Sequence, residues 1–409
     1  MKNKKILGNT MILMIFQVAK ILFPFITLPY LTRVLTTETY GCVSYVKTTM
    51  TYMQLFVDFG FVLSATKDIV KVRDDQDKVG LIVGDTLLAR CLLGFAGFIV
   101  LFILIQLLPI LKANALYTVL SYITVFLSIF LMDFLFRGLE KMHVITIRFF
   151  VMKIISTLLT FVLIKNDGNM ILIPILDIIS SLVAVVLVAI EIKKLNIKMR
   201  ISKISNAIKL IKESFVYFLS GVASTSFNAL STIIIGIYIS TTEVAYWGLC
   251  MQIIGPIQAC YNPIADAIYP EMIKNKSWSL INKIIKIFLP LVIAGCIFVY
   301  FIANFVFLVL GGEEYLVAVP IFRLLIPALF FGFFAILYGW PTLGAIGKTK
   351  ETTISTTVSC IIYVASLVAL VVTDSFTLTS VAIVRVCADI TLFAVRYYYC
   401  LKYKHLFLD

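Results

Sequence analysis

Histidine is nearly missing from this chain: His143 and His405 are the two among 409 residues. No carboxylates or thiolates cluster to replace them, so a metal centre has almost no candidate ligands and none is expected. Charge is scarce as well. Asp, Glu, Lys and Arg make up 14% of the residues against 61% hydrophobic, at a mean hydropathy of +1.03. A soluble domain cannot cover its surface with so few charges. The eight cysteines stand singly in or beside apolar stretches. Without a pairing pattern they imply no disulfide framework and read as small packing residues. A phosphate-binding Walker loop, a dinucleotide-binding glycine motif and a nucleophile elbow are all lacking, and no polar segment is long enough to house ATP hydrolysis. No cofactor is therefore expected. Any work the protein does must draw on a gradient, the membrane potential or removal of product.

Long apolar runs dominate what remains. A spanning helix needs about 20 apolar residues at 1.5 Å each. Twelve such runs are legible, at 7–31, 40–65, 81–107, 116–136, 145–164, 170–190, 214–239, 244–267, 285–310, 321–345, 353–373 and 376–400. Membrane barrels show short alternating segments instead, so the chain reads as an all-α membrane protein with twelve transmembrane helices. The opening MKNKK imitates a secretory leader, but the run behind it is too long, contains Lys20 and lacks a small-x-small cleavage site. It is taken as the first span. Positive flanks stay cytoplasmic. With the N-terminus inside, 26 of the 35 lysines and arginines fall in cytoplasmic segments, against Arg33, Lys112 and Lys165 outside and six within the runs. Both termini are then expected to be cytoplasmic. The net charge of +13 reports topology and attraction to anionic membrane lipid rather than nucleic-acid binding.

The longest stretch outside the membrane, Glu191 to Lys212, carries seven basic residues and is too short for a folded domain. It divides the chain into an N-terminal six-helix lobe (1–195), a basic cytoplasmic linker (196–212) and a C-terminal six-helix lobe (213–409). Internal echoes support the division. "TTETYG" from Thr36 returns as "TTEVAYWG" from Thr241, Asp58 returns as Asp266, and "RGLEK" from Arg137 corresponds in place to "TLGAIGK" from Thr342. A parallel duplication of six spans relates two bundles by an axis along the membrane normal, as in transporters that rock two bundles around a central cavity.

One segment carries charge into the membrane. Tyr40, Ser44, Lys47, Thr51, Gln54 and Asp58 follow steps of 4, 3, 4, 3 and 4, which places them within about 80° of one another over about 27 Å of helix. A charged group facing lipid at the bilayer centre costs several kcal/mol, so this face should meet protein or a water-filled cavity. Gln17, Lys20, Pro24 and Thr27 share a face of the first span in the same way. Glu213, Tyr217, Ser220, Ser224, Asn228 and Ser231 do so in the seventh, and Gln258, Asn262 and Asp266 step by four in the eighth. Spans one, two, seven and eight would then wall a common polar space. The alternative is that Lys47 and Asp58 snorkel to opposite surfaces while Ser and Thr serve helix packing. Arg90 in the third span is assigned to the cavity. Arg385 and Asp389, spaced i,i+4, are expected to pair as structure, Asp133 and Arg137 to form a similar pair, and Lys153 to reach the interface.

A cavity bearing Lys20, Lys47 and Arg90 suits an anionic cargo, since an uncompensated cation attracts phosphate strongly where the dielectric is low. "LPYLTRVLTTETYG" from Leu28, "DFGF" from Asp58 and "FRGLEKM" from Phe136, together with the duplicated twelve-span plan, resemble the Wzx-type lipid-linked oligosaccharide flippases of the multidrug/oligosaccharidyl-lipid/polysaccharide exporter superfamily, whose folds are MATE-like. Arg137 stands where the family often has glutamine. The resemblance implies a transporter of the bacterial inner membrane rather than an enzyme. Its cargo would be an undecaprenyl-diphosphate-linked oligosaccharide, an O-antigen or similar polysaccharide repeat unit, moved from the cytoplasmic to the periplasmic leaflet. It would work beside other polysaccharide-assembly membrane proteins. Lys20, Lys47, Arg90, Gln17, Thr51, Gln54 and Asn228 are the candidate cavity residues, and Asp58, Glu213 and Asp266 the candidates for coupling to an ion. Two other readings compete: a multidrug cation antiporter of the same architecture, which would favour cavity carboxylates, and a membrane oligosaccharide polymerase or ligase, which would need larger outer loops.

Overall fold

The computed structural model describes the backbone of residues 2–408 and the side chains of residues 15–219, 221–222, 225–226 and 229–408. Among the described residues every regular element is helical. The helices are α1 (Lys2–Val34), α2 (Thr37–Asp58), α3 (Phe61–Val72), α4 (Gln76–Leu107), α5 (Pro109–Ala113), α6 (Ala115–Leu127), α7 (Asp133–Gly138), α8 (Met142–Leu163), α9 (Leu172–Lys194), α10 (Ile204–Tyr238), α11 (Thr241–Ala259), α12 (Asn262–Asn275), α13 (Trp278–Leu310), α14 (Val319–Leu337), α15 (Thr349–Val372) and α16 (Leu378–Lys402). Nine helical segments among the described residues are long and apolar enough to cross a membrane. The second, seventh and eighth expected spans are not among these nine. They are three of the four that carry the predicted polar faces.

Local chemistry sets the breaks. Thr36, Asp75, Ser240, Ser277 and Thr377 each accept a hydrogen bond from a backbone N–H of the helix they precede, so α2, α4, α11, α13 and α16 begin on a side-chain cap. Two of these caps, Thr36 and Ser240, sit at the paired "TTE" strings, which gives that echo a structural meaning. The "DFGF" string is a break: Phe59 at φ 41° and Gly60 at φ 80° leave helical space between α2 and α3. A side chain at Gly60 would overlap Tyr217, so close approach as well as backbone freedom demands glycine there.

Exposure is inverted relative to a soluble protein. Phe301 is 74% exposed and Val372 78%, whereas Arg90, Arg385 and Asp389 are 3% exposed. Such a surface is stable only against hydrocarbon, and the chain is a multi-pass membrane protein.

The chain divides into two compact units, Met1–Thr225 and Ser226–Asp409. The division falls inside α10 rather than at the basic linker, and packing explains the shift. In unit 1, α2 packs on α4 and α6, α8 packs on α1 and α9, and α3 lies against α4 and α7. The start of α10 belongs to this assembly because Phe218 stacks on Phe59 at 4.3 Å and the Ser64 and Ser214 hydroxyls lie 2.7 Å apart. The linker is not a free tether either. Arg200 N–H donates to the Gly80 carbonyl at 3.2 Å, and the Ser202 N–H and hydroxyl both donate to buried Asp85, at 2.8 and 2.7 Å. A side chain at Gly80 or Gly84 would overlap the Lys198 or Arg200 carbonyl oxygen. Gly84→Leu should therefore lift the strap, at a cost of about 1–3 kcal/mol for overpacking. Limited trypsin digestion reads the result: cleavage at Lys198, Arg200 and Lys203 should quicken while the helices stay intact, and an unchanged rate would count against a docked linker.

In unit 2, α14 is central and packs against α11, α13 and α16, with α15 on α16. Arg385 donates to Asp389 at 3.2 Å, both buried, as their i,i+4 spacing predicts.

Candidate functional site

Two polar cavities lie in unit 1, and among the described residues all of their walls come from that unit. The first, about 250 Å³, has Lys47 on α2, Lys153, Ser156, Thr157 and Thr160 on α8, Tyr117 and Ser121 on α6, Asp177 on α9, and Pro24 and Thr27 on α1 among its walls. The second, about 280 Å³, gathers Lys20, Asp58, Arg90, Ser128, Asp133 and Arg148. Gln54 and Thr124 line both cavities. They form the partition of one polar seam that follows the α2 stripe through the bundle.

The charges in the second cavity are organised in pairs. Arg90 Nη2 donates to Asp58 Oδ1 at 2.5 Å and Arg90 Nη1 to the Ile129 carbonyl at 3.2 Å. Gln54 Nε2 donates to Asp58 Oδ2 and to Ser128 Oγ, each at 2.9 Å. Arg148 pairs with Asp133 and donates to the Leu131 carbonyl at 2.8 Å. Arg137 is thus not the partner of Asp133, and its Nε is buried without a hydrogen bond. Arg148 stands nearly two turns into α8 and so reaches Asp133. Among the described residues Lys20 has no carboxylate within ion-pairing reach; its ammonium lies 4.5 Å above the Phe16 ring, a contact that partly offsets desolvation.

The first cavity is less balanced. Among the described residues Lys47 and Lys153 face one carboxylate, Asp177, which is held by the Ser156 hydroxyl at 2.8 Å and pairs with neither lysine. Lys153 reaches this cavity rather than the interface. With two cations to one anion here, and three to two in the second cavity, each cavity carries an excess of one positive charge. The Thr124 hydroxyl is buried between them without a hydrogen-bond partner. Buried polar atoms are normally satisfied, so this oxygen is a contact point for whatever fills the seam.

Other sequence-predicted residues lie elsewhere. Gln17 and Thr51 are exposed and line neither cavity, and Thr51 donates to the Lys47 carbonyl at 3.1 Å. Glu213 is exposed and lies 3.9 Å from Lys209. Asp266 is exposed and lines a cavity of about 320 Å³ in unit 2 with Asn262, Tyr269, Trp340 and Arg396. The side chain of Asn228 lies outside the described residues, as do those of Ser220 and Ser224. Ser231 accepts from the Tyr363 hydroxyl at 2.8 Å, a packing role.

Lys153, Asp177, Asp133 and Arg148 were missed as site residues, yet the sequence held a signal for the walls around them. Tyr117, Ser121, Thr124 and Ser128 step by 4, 3 and 4, and Lys153, Ser156, Thr157 and Thr160 also share one helix face. The rhythm of α2 repeats in α6 and α8, helices whose hydroxyls line the two cavities. Among the described residues no three His, Cys, Asp or Glu side chains gather to hold a metal ion.

Comparison with known proteins follows the same line. A family model described as polysaccharide biosynthesis protein matches residues 6–276, more than half of the chain. A candidate O-antigen transporter of Shigella dysenteriae is 26% identical over 68% of this chain and 69% of its own length. One of Escherichia coli (strain K12) is 27% identical over 64% of each. The chain thus spans about two thirds of the curated relatives it matches. Two solved structures share the fold. An inward-facing multidrug-resistance transporter of the MATE family superposes with a TM-score of 0.76 at 14% identity, over 94% of each chain. The lipid II flippase MurJ in an inward closed conformation gives 0.69 at 12% identity, over 97% of this chain and 87% of that one.

Proposed function

We propose, from the premise that this chain belongs to the polysaccharide biosynthesis protein family, that it is a transporter that flips a lipid-linked oligosaccharide across a membrane and is not an enzyme. The observation that carries this reading is the set of three lysines, Lys20, Lys47 and Lys153, that open into polar cavities without a paired carboxylate. An amphiphile with a phosphorylated head needs such a surface. Its sugar hydroxyls and phosphate cannot enter hydrocarbon unsolvated, whereas its polyprenyl tail needs no protein to remain in lipid.

The head group is an undecaprenyl-diphosphate-linked repeat unit, the membrane is the bacterial inner membrane, both termini are cytoplasmic, and movement runs from cytoplasmic to periplasmic leaflet by alternating access. Lys47 and Lys153 attract the diphosphate by charge, and the hydroxyls of Thr157 and Thr160 offer hydrogen bonds to neighbouring oxygens. Arg90 and Arg148, already paired with Asp58 and Asp133, hold the shape of the second cavity rather than seizing cargo. Outward movement of negative charge runs down an inside-negative potential by about 2.3 kcal/mol per charge per 100 mV, so transport needs no bound nucleotide. Asp58 coupling to an ion would require the Arg90 pair to open. The unpaired carboxylate Asp177 is the better candidate for that role.

Reconstitution tests the proposal. Purified protein in liposomes holding a fluorescent polyprenyl-diphosphate glycan should expose it to an outer-leaflet glycosidase faster than empty liposomes do. A multidrug antiporter would instead move a cationic dye and leave the glycan lipid in place, and a polymerase would lengthen the glycan. Either of those results would overturn the flippase reading.

A further inference from the structure

A third polar cavity, far from the lysines of unit 1 in sequence, sits where α14 ends. Beyond Leu337 the chain makes wide helical turns over Tyr338–Gly344, with Gly339 at φ −73° and ψ −120°. Pro341 has no N–H to offer, and the Thr342 hydroxyl takes the Leu337 carbonyl at 2.8 Å. Arg396 of α16 reaches into this break. It donates to the Ala335 carbonyl, to Ser355 Oγ at 3.2 Å and to Thr356 Oγ1 at 3.0 Å. A side chain at Gly339 would overlap its guanidinium. Three of its five N–H donors are thereby used, and among the described residues no carboxylate pairs with it.

The same guanidinium lines the cavity of about 320 Å³ with Asn262, Asp266, Tyr269 and Trp340. Trp340, 55% exposed, is also a wall of an open groove of about 500 Å³ along α15, lined by Thr349, Lys350, Thr353, Ile354, Thr357 and Val358. A polar chamber with a fixed cation and an apolar trough thus share one tryptophan. The trough does not stop at the groove. Ile354, Ile361, Val368 and Val372 are all exposed, and their spacing puts them within about 40° on one face of α15 over about 27 Å, close to the depth of a bilayer core. This end of unit 2 is also its basic end: Leu408 N–H bonds the Lys276 carbonyl, the Lys348 ammonium lies 4.1 Å over Tyr403, and Trp278 meets Phe407 at 5.2 Å.

The geometry points to a binding site for an anionic phospholipid, with the phosphodiester between Arg396 and Lys350 and an acyl chain along the outer face of α15. Charge selects this occupant. Arg396 and Lys350 against Asp266 leave one net positive charge, which complements a single phosphodiester and would leave the more highly charged head of a diphosphate lipid uncompensated. Trp340 lies at the junction of head and tail, where amphipathic rings are favoured. The site does not depend on what the transporter carries, and its test involves no transport.

The full-length protein, purified in detergent and stripped of lipid, is heated with increasing dioleoylphosphatidylglycerol, dioleoylphosphatidylcholine or inorganic phosphate. The phosphatidylglycerol should raise the unfolding temperature saturably, and neither other probe should match it. Lys350→Gln and Trp340→Ala should each weaken the apparent affinity about tenfold, the scale of one lost charge-assisted contact. Arg396→Lys, which keeps charge but not the fork, serves as a third variant if it folds; the other two suffice without it. Equal stabilisation by phosphatidylcholine would show a tail groove without head-group recognition and overturn the proposal. So would a matching response to phosphate alone, or an unchanged phosphatidylglycerol response in both Lys350→Gln and Trp340→Ala.

Discussion

Replacing Lys47 and Lys153 together with methionine should reduce glycan export by at least about a hundredfold at matched protein level. The substitution keeps most of each apolar stem and removes only the ammonium, so the cavity should stay formed. Loss of one partner from a close charged contact costs about 2–5 kcal/mol, and each 1.4 kcal/mol is tenfold; two such losses exceed a hundredfold even when they are only half additive. Without the lysines, Asp177 is the one charge left in that cavity among the described residues, and it would repel a phosphate. The single variants should lie between the double variant and wild type, and Lys47→Arg with Lys153→Arg should retain part of the activity because attraction survives the change of geometry. Surface glycan, measured against the amount of protein in the membrane, is the readout. Full export by the double methionine variant would place the phosphate contact elsewhere.

The second large effect concerns stability. Asp58→Ala leaves Arg90, 3% exposed, without the carboxylate 2.5 Å away and frees the Gln54 amide that shares it. An uncompensated buried charge of this kind costs about 3–5 kcal/mol. Asp58→Ala should therefore lower the temperature at which detergent-solubilised protein loses its monodisperse peak. Adding Arg90→Met should restore most of the loss, since removing both charges removes the desolvation penalty with the attraction. If Asp58→Ala were neutral, or if the second substitution worsened it, the pair would not be the structural element described here. The contrast with Lys47 and Lys153 is the point: paired cations shape the seam, whereas unpaired ones are left to meet cargo.

Which parts of this were legible in sequence follows from the range over which helical spacing carries information. The α2 stripe from Tyr40 to Asp58 was visible because all its members lie on one helix, and the Arg385–Asp389 pair because i,i+4 neighbours touch whatever surrounds them. Asp58 and Arg90 are 32 residues apart, and Arg148 and Asp133 lie on different helices. Their pairing depends on which helices pack together, and periodicity is silent on that. Lys153 was set aside as interfacial although Ser156, Thr157 and Thr160 share its face, because hydroxyls count weakly against the apolar residues between them. Gly80 and Gly84 read as ordinary helix glycines. Their role appears only when the Lys198–Ser202 backbone is seen lying across them, and that docking is also what moves the unit boundary into α10.

The most direct test of the central claim is the affinity of the purified protein for two lipids that differ only in phosphate: a polyprenyl-diphosphate disaccharide and the same glycan on a neutral polyprenyl ether. The wild-type protein should bind the diphosphate form at least about tenfold more tightly, and Lys47→Met with Lys153→Met should reduce that preference to near unity while leaving affinity for the neutral lipid unchanged. Equal binding of the two lipids by the wild type, or a preference that survives in the double variant, would contradict the account.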